Sequence, residues 1–502
     1  MSAAREDGPR AGGSREDGPI PLWRDRRFRR FWAGQSISEF GDRITELALP
    51  LIAVTALSAS ANQVAWLTAL VWTPNLLAIV LGAWVDRRVR KRRLMVLADL
   101  VRAAVLLSLP VTYLLDAVSL GQLYAVALVT GTAAVLFNTA YPPFFVHLVP
   151  RSSYVEANSR LSASRSVSHV VGPAAGGALV QALTAPVAVV VDALSYLASA
   201  FLIGRIPLDE SPTGPDGAAP PSLLRRAREG MAFVRRHPVL RAGLGCAATV
   251  NFFTFVAGSG LLVLFASRVL ELSAGAIGLA LGIGSTGALL GAVLAPSVSR
   301  RIGVGRSIAV GAVLFPAPLA IAAFAGGPLW ARAGVLAAGE FLSGVGVMLF
   351  DVNLNSLQTS VIPDGMRSRV AGAFSSVNYG VRPLGAVVGG LLATAFGLRA
   401  TLLVGAVGER WHCSGYWLRR YRASAPCPRT TWPRPMWPLP ATTPIRSIGR
   451  RPADPVRWVS GHAVRRGACA PVYGRGAPHR WSGATPLVPR RLSASRAACA
   501  TG

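Results

Sequence analysis

Cysteine is nearly missing from most of this chain: of five cysteines, Cys246 alone lies before Cys413. No disulfide framework is therefore expected. There is no metal-ligand cluster among the six histidines and few acids, no phosphate-binding glycine loop and no nucleophile–base pairing. Enzymatic chemistry, a bound metal and an organic cofactor are accordingly not expected. Residues 1–20 are polar and hold no apolar core, which argues against a secretory signal. They repeat Arg-Glu-Asp-Gly-Pro at 5–9 and 15–19, and 1–21 reads as a disordered tail. Acidic residues are scarce, 23 against 52 Lys plus Arg, for a formal charge of +29.

What the chain does have is long apolar segments. Its 502 residues are 52% hydrophobic, with a mean hydropathy of +0.43, too apolar for an ordinary soluble protein. Eleven runs approach the length of about 20 residues needed to cross a bilayer: 30–56, 63–85, 94–115, 121–145, 161–183, 186–206, 242–266, 274–298, 307–326, 332–357 and 371–397. The positive charge is not spread as a nucleic-acid binder would spread it. Up to residue 400 it gathers at Arg24 to Arg30, Arg87 to Arg93, Arg225 to Arg241 and Arg300 to Arg306, whereas the stretches 57–62, 116–121 and 183–187 hold no Lys or Arg. That alternation follows the positive-inside rule and predicts a multi-pass protein of the plasma membrane with a cytoplasmic N-terminus. No nucleic-acid partner is expected.

The chain also resembles itself at a fixed offset of 213 residues, without a gap. Arg87-Arg88 recurs as Arg300-Arg301, Gly131 as Gly344, Phe137 as Phe350 and Pro150 as Pro363. Gly172, Gly176, Gly177 and Leu179 return as Gly385, Gly389, Gly390 and Leu392. A parallel repeat of helical bundles is one construction used by secondary transporters. The predicted fold class is thus an all-α membrane protein of two pseudo-symmetric six-helix bundles. Its expected parts are the tail 1–21, a first bundle over 22–206, a cytoplasmic linker over 207–240, a second bundle over 241–407 and a basic tail over 408–502. Within the linker, Leu224, Ala227, Met231 and Val234 fall at helical spacing among arginines, which predicts an amphipathic helix at the membrane interface.

The repeat calls for a twelfth helix near 399–419, but Glu409-Arg410-Trp411-His412 interrupts it. From Glu409 onward there are 17 Arg, no Lys and two acids, Glu409 and Asp454, with abundant Pro and Trp and no periodicity. Such a segment cannot bury a core. Two origins are open: a basic extension that binds anionic lipid or nucleic acid, or translation out of frame from GC-rich coding DNA.

Three motifs follow. Gly82-Ala83-Trp84-Val85-Asp86-Arg87-Arg88-Val89-Arg90-Lys91-Arg92 joins the second and third spans. Asp86 beside Arg87, Arg88 and Arg90 can form charge-assisted bonds that latch one bundle conformation. In the second copy, Ser299-Arg300-Arg301 lacks the acid. Gly172-Pro173-Ala174-Ala175-Gly176-Gly177 offers close helix approach and a kink in the fifth span. Phe137-Asn138-Thr139-Ala140-Tyr141-Pro142, Leu148-Val149-Pro150, Glu156-Ala157-Asn158, Phe31-Trp32-Ala33-Gly34-Gln35 and Gly41-Asp42 complete the set. Together, over about 22–407, these resemble the major facilitator superfamily and its drug- and macrolide-exporter branch. Val89 stands where that family usually has Gly, and Ala127 where many of its drug exporters have Arg.

Ionisable groups at mid-membrane are expensive and so point to coupling sites. In the first span Glu39 and Arg43 are four apart and able to pair, and Asp42 and Glu46 share nearly one face. Asp42 lies about 18 Å beyond Arg30 at the helical rise. Asp351 and Arg382 form a second candidate cluster, able to pair or to gate; their equivalents in the first copy are Asn138 and His169. Asp192 is an isolated candidate nearer the outer surface, and Trp66, Trp72, Trp84 and Phe252-Phe253 are candidate cavity walls. The resemblance implies a monomer that exports small hydrophobic compounds against protons, with membrane lipid as its surroundings. The rival expectations are a non-transporting, membrane-anchored binding protein that uses the basic tail, and an inactive product that lacks its last helix.

Overall fold

The computed structural model describes residues 22–86, 88, 90–207 and 223–408, and these are helices, turns and bends without a strand. The first repeat comprises α1 (Arg26–Thr55), α2 (Ala61–Trp72), α3 (Ala78–Asp86), α4 (Lys91–Leu114), α5 (Leu120–Leu148), α6 (Tyr154–Leu183) and α7 (Ala185–Gly204). After α8 (Leu223–Arg236), the second comprises α9 (Pro238–Ala257), α10 (Ser259–Arg268), α11 (Ala274–Ile302), α12 (Val304–Leu314), α13 (Leu319–Ala323), α14 (Leu329–Val361) and α15 (Arg367–Val407). Helices α2 and α3 are one span interrupted by a 3-10 turn, Thr73–Leu77, at Pro74. Proline removes a backbone donor there and the ladder tightens to accommodate it.

Eight described spans are long and apolar enough to cross a membrane: α4, α5, α7, α9 with α10, α11, α12 with α13, α14 and α15. Three of the eleven expected spans are not among them. Helices α1 and α6 are polar and charged over half their length, and the α2–α3 span is broken at Pro74. The departure has a physical cause: these three elements line the central cavity and do not need an apolar face all round.

The 213-residue offset is reproduced in backbone detail. Ser60 caps α2 by accepting from the Gln63 amide at 3.3 Å, and Ser273 caps α11 by accepting from the Ala276 amide at 3.3 Å. The bends before these caps use positive φ at Ser58 (49°) and Glu271 (55°). Thr184 (φ 78°) separates α6 from α7, and Gly397 (φ 83°) breaks α15 at the equivalent place. A further helical stretch then runs to Val407. Residues 409–502 lie outside the described residues, so the expected disruption of the twelfth helix and the basic tail fall there, as does the tail 1–21.

The repeats meet where α6 packs on α11 and α2 packs on α15. The duplicated glycines make both seams. Gly172 faces the Arg43 side chain and Gly176 the Ile44 backbone of α1, while Gly177 faces Ala274 and Gly278 of α11. In the second copy, Gly385 and Gly389 face the Phe252 and Val256 backbone of α9, and Gly390 faces Asn62 and Ala65 of α2. Each motif thus binds its helix to the first helix of its own repeat and to a helix of the other. One end of the assembly is closed by an apolar cluster drawn from both repeats, including Leu49 to Val54, Leu261 to Ala266, Ile277, Ala280 and Ala393.

At the opposite end, α8 lays its apolar face on protein. Val234 is buried in a cluster with Leu240, Val370 and Phe374, and Met231 packs against it. The expected interfacial helix therefore docks on α9 and α15. Glu229 bridges Arg225 at 3.1 Å and Arg369 at 3.0 Å.

Candidate functional site

A cavity of about 960 Å³ lies on the seam between the repeats, within the range of drug-sized ligand sites. Its walls come from α1, α2, α4, α5, α6, α7 and α15. Helix α1 sends Glu39, Asp42, Arg43 and Glu46 into it, because positions three and four apart share a helical face. Their partners differ from the expected ones. Arg43 pairs with Glu46 at 2.5 Å, and Glu39 takes two bonds from Arg165 of α6, at 3.0 and 2.9 Å. Neither Glu39–Arg43 nor Asp42–Glu46 is a pair in the structure. The reason is tertiary: Arg165 reaches Glu39 across the α1–α6 contact, which frees Arg43 for the next turn.

Asp42 accepts a hydrogen bond from the Tyr196 hydroxyl of α7. Behind it lies a buried polar layer between α1, α4 and α7. Asp192 is fully buried and accepts from Thr45 of α1 and, at 3.0 Å, from Ser195. Gly41 makes this possible, since a Cβ there would collide with Asp192 and Ser195. Asp99, also fully buried, accepts from Ser199 at 2.7 Å and sits 3.7 Å from Arg102. The Arg102 guanidinium lies over Tyr196 at 5.0 Å and Phe137 at 5.3 Å. A buried carboxylate must be hydrogen-bonded or paired to be tolerated, and every contact named here supplies part of that compensation. Asp192 is thus not the isolated acid that its sequence position suggested, since Thr45 and Ser195 both donate to it.

On the other side of the cavity, Arg382 donates through Nε to Asn251 Oδ1 at 3.0 Å. Its guanidinium lies 4.2 Å from the Trp72 ring centroid, 4.6 Å from Tyr379 and 5.1 Å from Phe255. Among the described residues no ion pair joins Arg382 to Asp351, which is half-buried on α14. Of the aromatics expected to line a cavity, Trp72 does so; Trp66 and Trp84 point outward and are 44% and 42% exposed. His169 lines the cavity on α6, at the position equivalent to Arg382.

The motif joining α3 to α4 is described only in part. The Asp86 side chain and Arg87 lie outside the described residues. Arg88 stacks 4.6 Å from the Trp84 ring, and Arg90 is exposed. Arg92 donates to the Ile206 carbonyl, which ties the start of α4 to the end of α7. Sequence reasoning overlooked Asp99, Arg102, Arg165, Tyr196 and Asn251. The first two carried a usable signal, an acid and a base three residues apart inside an otherwise apolar span. The others carried none, since their roles depend on which helix lies opposite.

Two repeated helical bundles around a central, partly charged cavity, embedded by spans of membrane length, define a multi-pass membrane transporter. The sequence pattern of the Major Facilitator Superfamily matches residues 31–386, and the chain belongs to that superfamily. It is 27% identical over 394 residues to the uncharacterized MFS-type transporter YfiS of Bacillus subtilis (strain 168), covering 76% of this chain and 91% of that protein. It is 28% identical over 390 residues to the multidrug efflux pump Tap of Mycolicibacterium fortuitum, covering 72% and 88%. The fold is shared with a bacterial homologue of the iron transporter ferroportin in an inward-facing state, at TM-score 0.62 and 17% identity over 78% of this chain and 99% of that one. It is also shared with the nucleoside transporter NupG (D323A mutant), at 0.61 and 12% over 80% and 100%.

Proposed function

We propose that this transporter exports hydrophobic small molecules, drugs and antibiotics among them, in exchange for protons, by rocking the two repeats about the central cavity. The observation that carries the reading is the cavity itself: about 960 Å³, closed at one end by an apolar cluster and lined on one wall by Asp42, Glu39, Arg43 and Glu46. The similarity to a multidrug efflux pump over most of both chains supports export of hydrophobic compounds. With the N-terminus in the cytoplasm, the closed end faces outward and substrate enters from the cytoplasmic side, as a monomer would allow.

Coupling is assigned to the α1 cluster, with Asp42 as proton carrier. The Tyr196 hydroxyl donates to Asp42 and so holds α1 to α7. A proton on Asp42 removes a negative charge from a wall that faces Arg382 of the second repeat across the cavity, so the charge is felt differently in the two orientations. A ligand shifts a conformational equilibrium only through such a difference. Glu39, Arg43 and Glu46 set the local field, and Asp351 and Arg382 occupy the opposite wall. The basic loop around Asp86, Arg87, Arg88 and Arg90 acts as the conformational latch, and Gly172, Pro173, Gly176 and Gly177 as the close-packed pivot.

Everted membrane vesicles loaded with a pH dye test this reading. Addition of a lipophilic dye or antibiotic should release protons from the acidified lumen, and Asp42→Asn should abolish the release while substrate still binds. Unaltered exchange in Asp42→Asn removes Asp42 from the role. Substituting Asp86 should slow cycling more than it weakens binding; equal loss of both counts against the latch.

A further inference from the structure

The guanidinium of Arg382 is placed unlike those of the other arginines of the cavity. Arg43 has Glu46, Arg165 has Glu39 and Arg102 has Asp99. Among the described residues Arg382 has no carboxylate at ion-pair distance, and its single hydrogen bond runs from Nε to Asn251. Asn251 is itself held, donating to Ala247 O at 3.0 Å and to Asn378 Oδ1 at 3.3 Å. The repeat explains the missing acid: the position equivalent to Asp42 at the 213-residue offset is Phe255. One repeat sets a carboxylate on its first helix, whereas the other sets an aromatic ring in the same place.

That substitution leaves a cation beside three aromatic rings, with no acceptor for its terminal nitrogens among the described residues. Trp72 and Tyr379 are stacked at 5.9 Å with 21° between their planes, and Phe255 stands edge-on to Trp72 at 5.4 Å and 82°. The site is composite, since Trp72 comes from the first repeat and the remaining side chains from the second. Close packing at Gly385 and Gly389 fixes α15 against α9 and so fixes Arg382 beside Asn251. An arginine in an apolar surround is costly unless compensated. Ring faces offset part of that cost, but they leave the outer N–H donors unused. Those donors match a carboxylate in bidentate geometry, and flat aromatic faces beside them match a ring system.

We infer that Arg382, Asn251, Trp72, Tyr379 and Phe255 form an anion subsite of the cavity that recognises planar aromatic compounds bearing a carboxylate. The inference rests on the export reading only for the word substrate; as a binding site it stands alone. The carboxylate takes the outer nitrogens of Arg382, and the ring lies along Trp72 and Tyr379. Across the cavity Glu39 and Glu46 are taken by Arg165 and Arg43, so among the described residues Arg382 is the cavity cation left for an incoming carboxylate.

The full chain in lipid nanodiscs is titrated with 2-naphthoate, its methyl ester and an alkanoate of similar length, with binding read by calorimetry. The acid should bind about tenfold to a hundredfold more tightly than the ester, the gain of charge-assisted bonds to a guanidinium. The acid should also bind more tightly than the alkanoate. Arg382→Gln should erase the acid–ester difference while ester binding persists, which shows that the variant is folded. Arg382→Lys should retain part of the preference, and Trp72→Leu should remove the preference for naphthoate over the alkanoate. Equal affinity for acid and ester in the unaltered protein overturns the subsite, as does a preference that survives Arg382→Gln. Vesicle export of the neutral ester separates the two readings. Export without acid preference sinks the subsite alone, and acid preference without any export sinks the export reading alone.

Discussion

The seam between α6 and α11 joins the two repeats at their closed end, and Gly177 tests it. A Cβ added at Gly177 would lie 2.6 Å from Ala274 O and 2.8 Å from Gly278 Cα. Ordinary contact begins at 3.4 Å, so the helices must part by about 0.8 Å at this point, and further for a branched side chain. The obstacle is backbone on both counts and cannot rotate away. Overpacking of this kind costs about 1–3 kcal/mol. Gly177 lies at the end sealed by the inter-repeat apolar cluster, which includes Val180 and Ile277 beside it. The cost therefore falls on the state closed at that end, and Gly177→Val should shift the equilibrium toward the oppositely closed state by roughly 5- to 150-fold. Spin labels at Ser58 and Gly326, in a background with the native cysteines replaced by serine, report the shift. Pulsed dipolar spectroscopy should show a longer inter-label distance gaining population in Gly177→Val. Gly245→Ala, where nothing lies within 4 Å, should leave the distribution unchanged. A folded Gly177→Val protein with the unaltered distribution would refute the view that close packing at this seam favours the state closed at that end.

Three further outcomes are expected. Thr184 sits at φ 78°, ψ 155°, and its equivalent Gly397 at φ 83°, ψ 165°, a region almost reserved for glycine. Thr184→Gly should raise stability by about 1 kcal/mol and Gly397→Ala lower it by about 1–3 kcal/mol, read as opposite shifts of the melting temperature in detergent. Asp99→Leu leaves Arg102 buried without its carboxylate and Ser199 without its acceptor. It should cost about 3–5 kcal/mol, and a melting temperature within a degree of the parent would show that the pair is not structural. The Glu229–Arg369 bridge is about one-third exposed on both sides, so Glu229→Gln should change stability by less than about 1 kcal/mol; a larger fall would mark α8 as a clamp on α15.

The bilayer explains what could be read directly from the chain. Hydrocarbon forces every spanning segment to satisfy its own backbone, which leaves helix as the form of each apolar run. The apolar spans and the 213-residue duplication therefore carried through to helices, caps at Ser60 and Ser273, and breaks at Thr184 and Gly397. The motif Gly172-Pro173-Ala174-Ala175-Gly176-Gly177 announced close packing in the same way, because a missing side chain means the same thing in any context.

Pairing among the charged groups is another matter. Residues four apart on α1 can pair locally, yet Glu39 is taken by Arg165, 126 residues away, and Asp42 by Tyr196, 154 residues away. The charges of α4 lay unnoticed inside an apolar run until α7 brought Ser199 to Asp99. Sequence by itself determined the elements and their duplication, since apolar length, proline and glycine act within a segment. Only the tertiary structure decided which charges compensate one another and which guanidinium is left without an acid, because hydrogen bonds and ion pairs need a partner within about 3–4 Å and that partner sits on the facing helix.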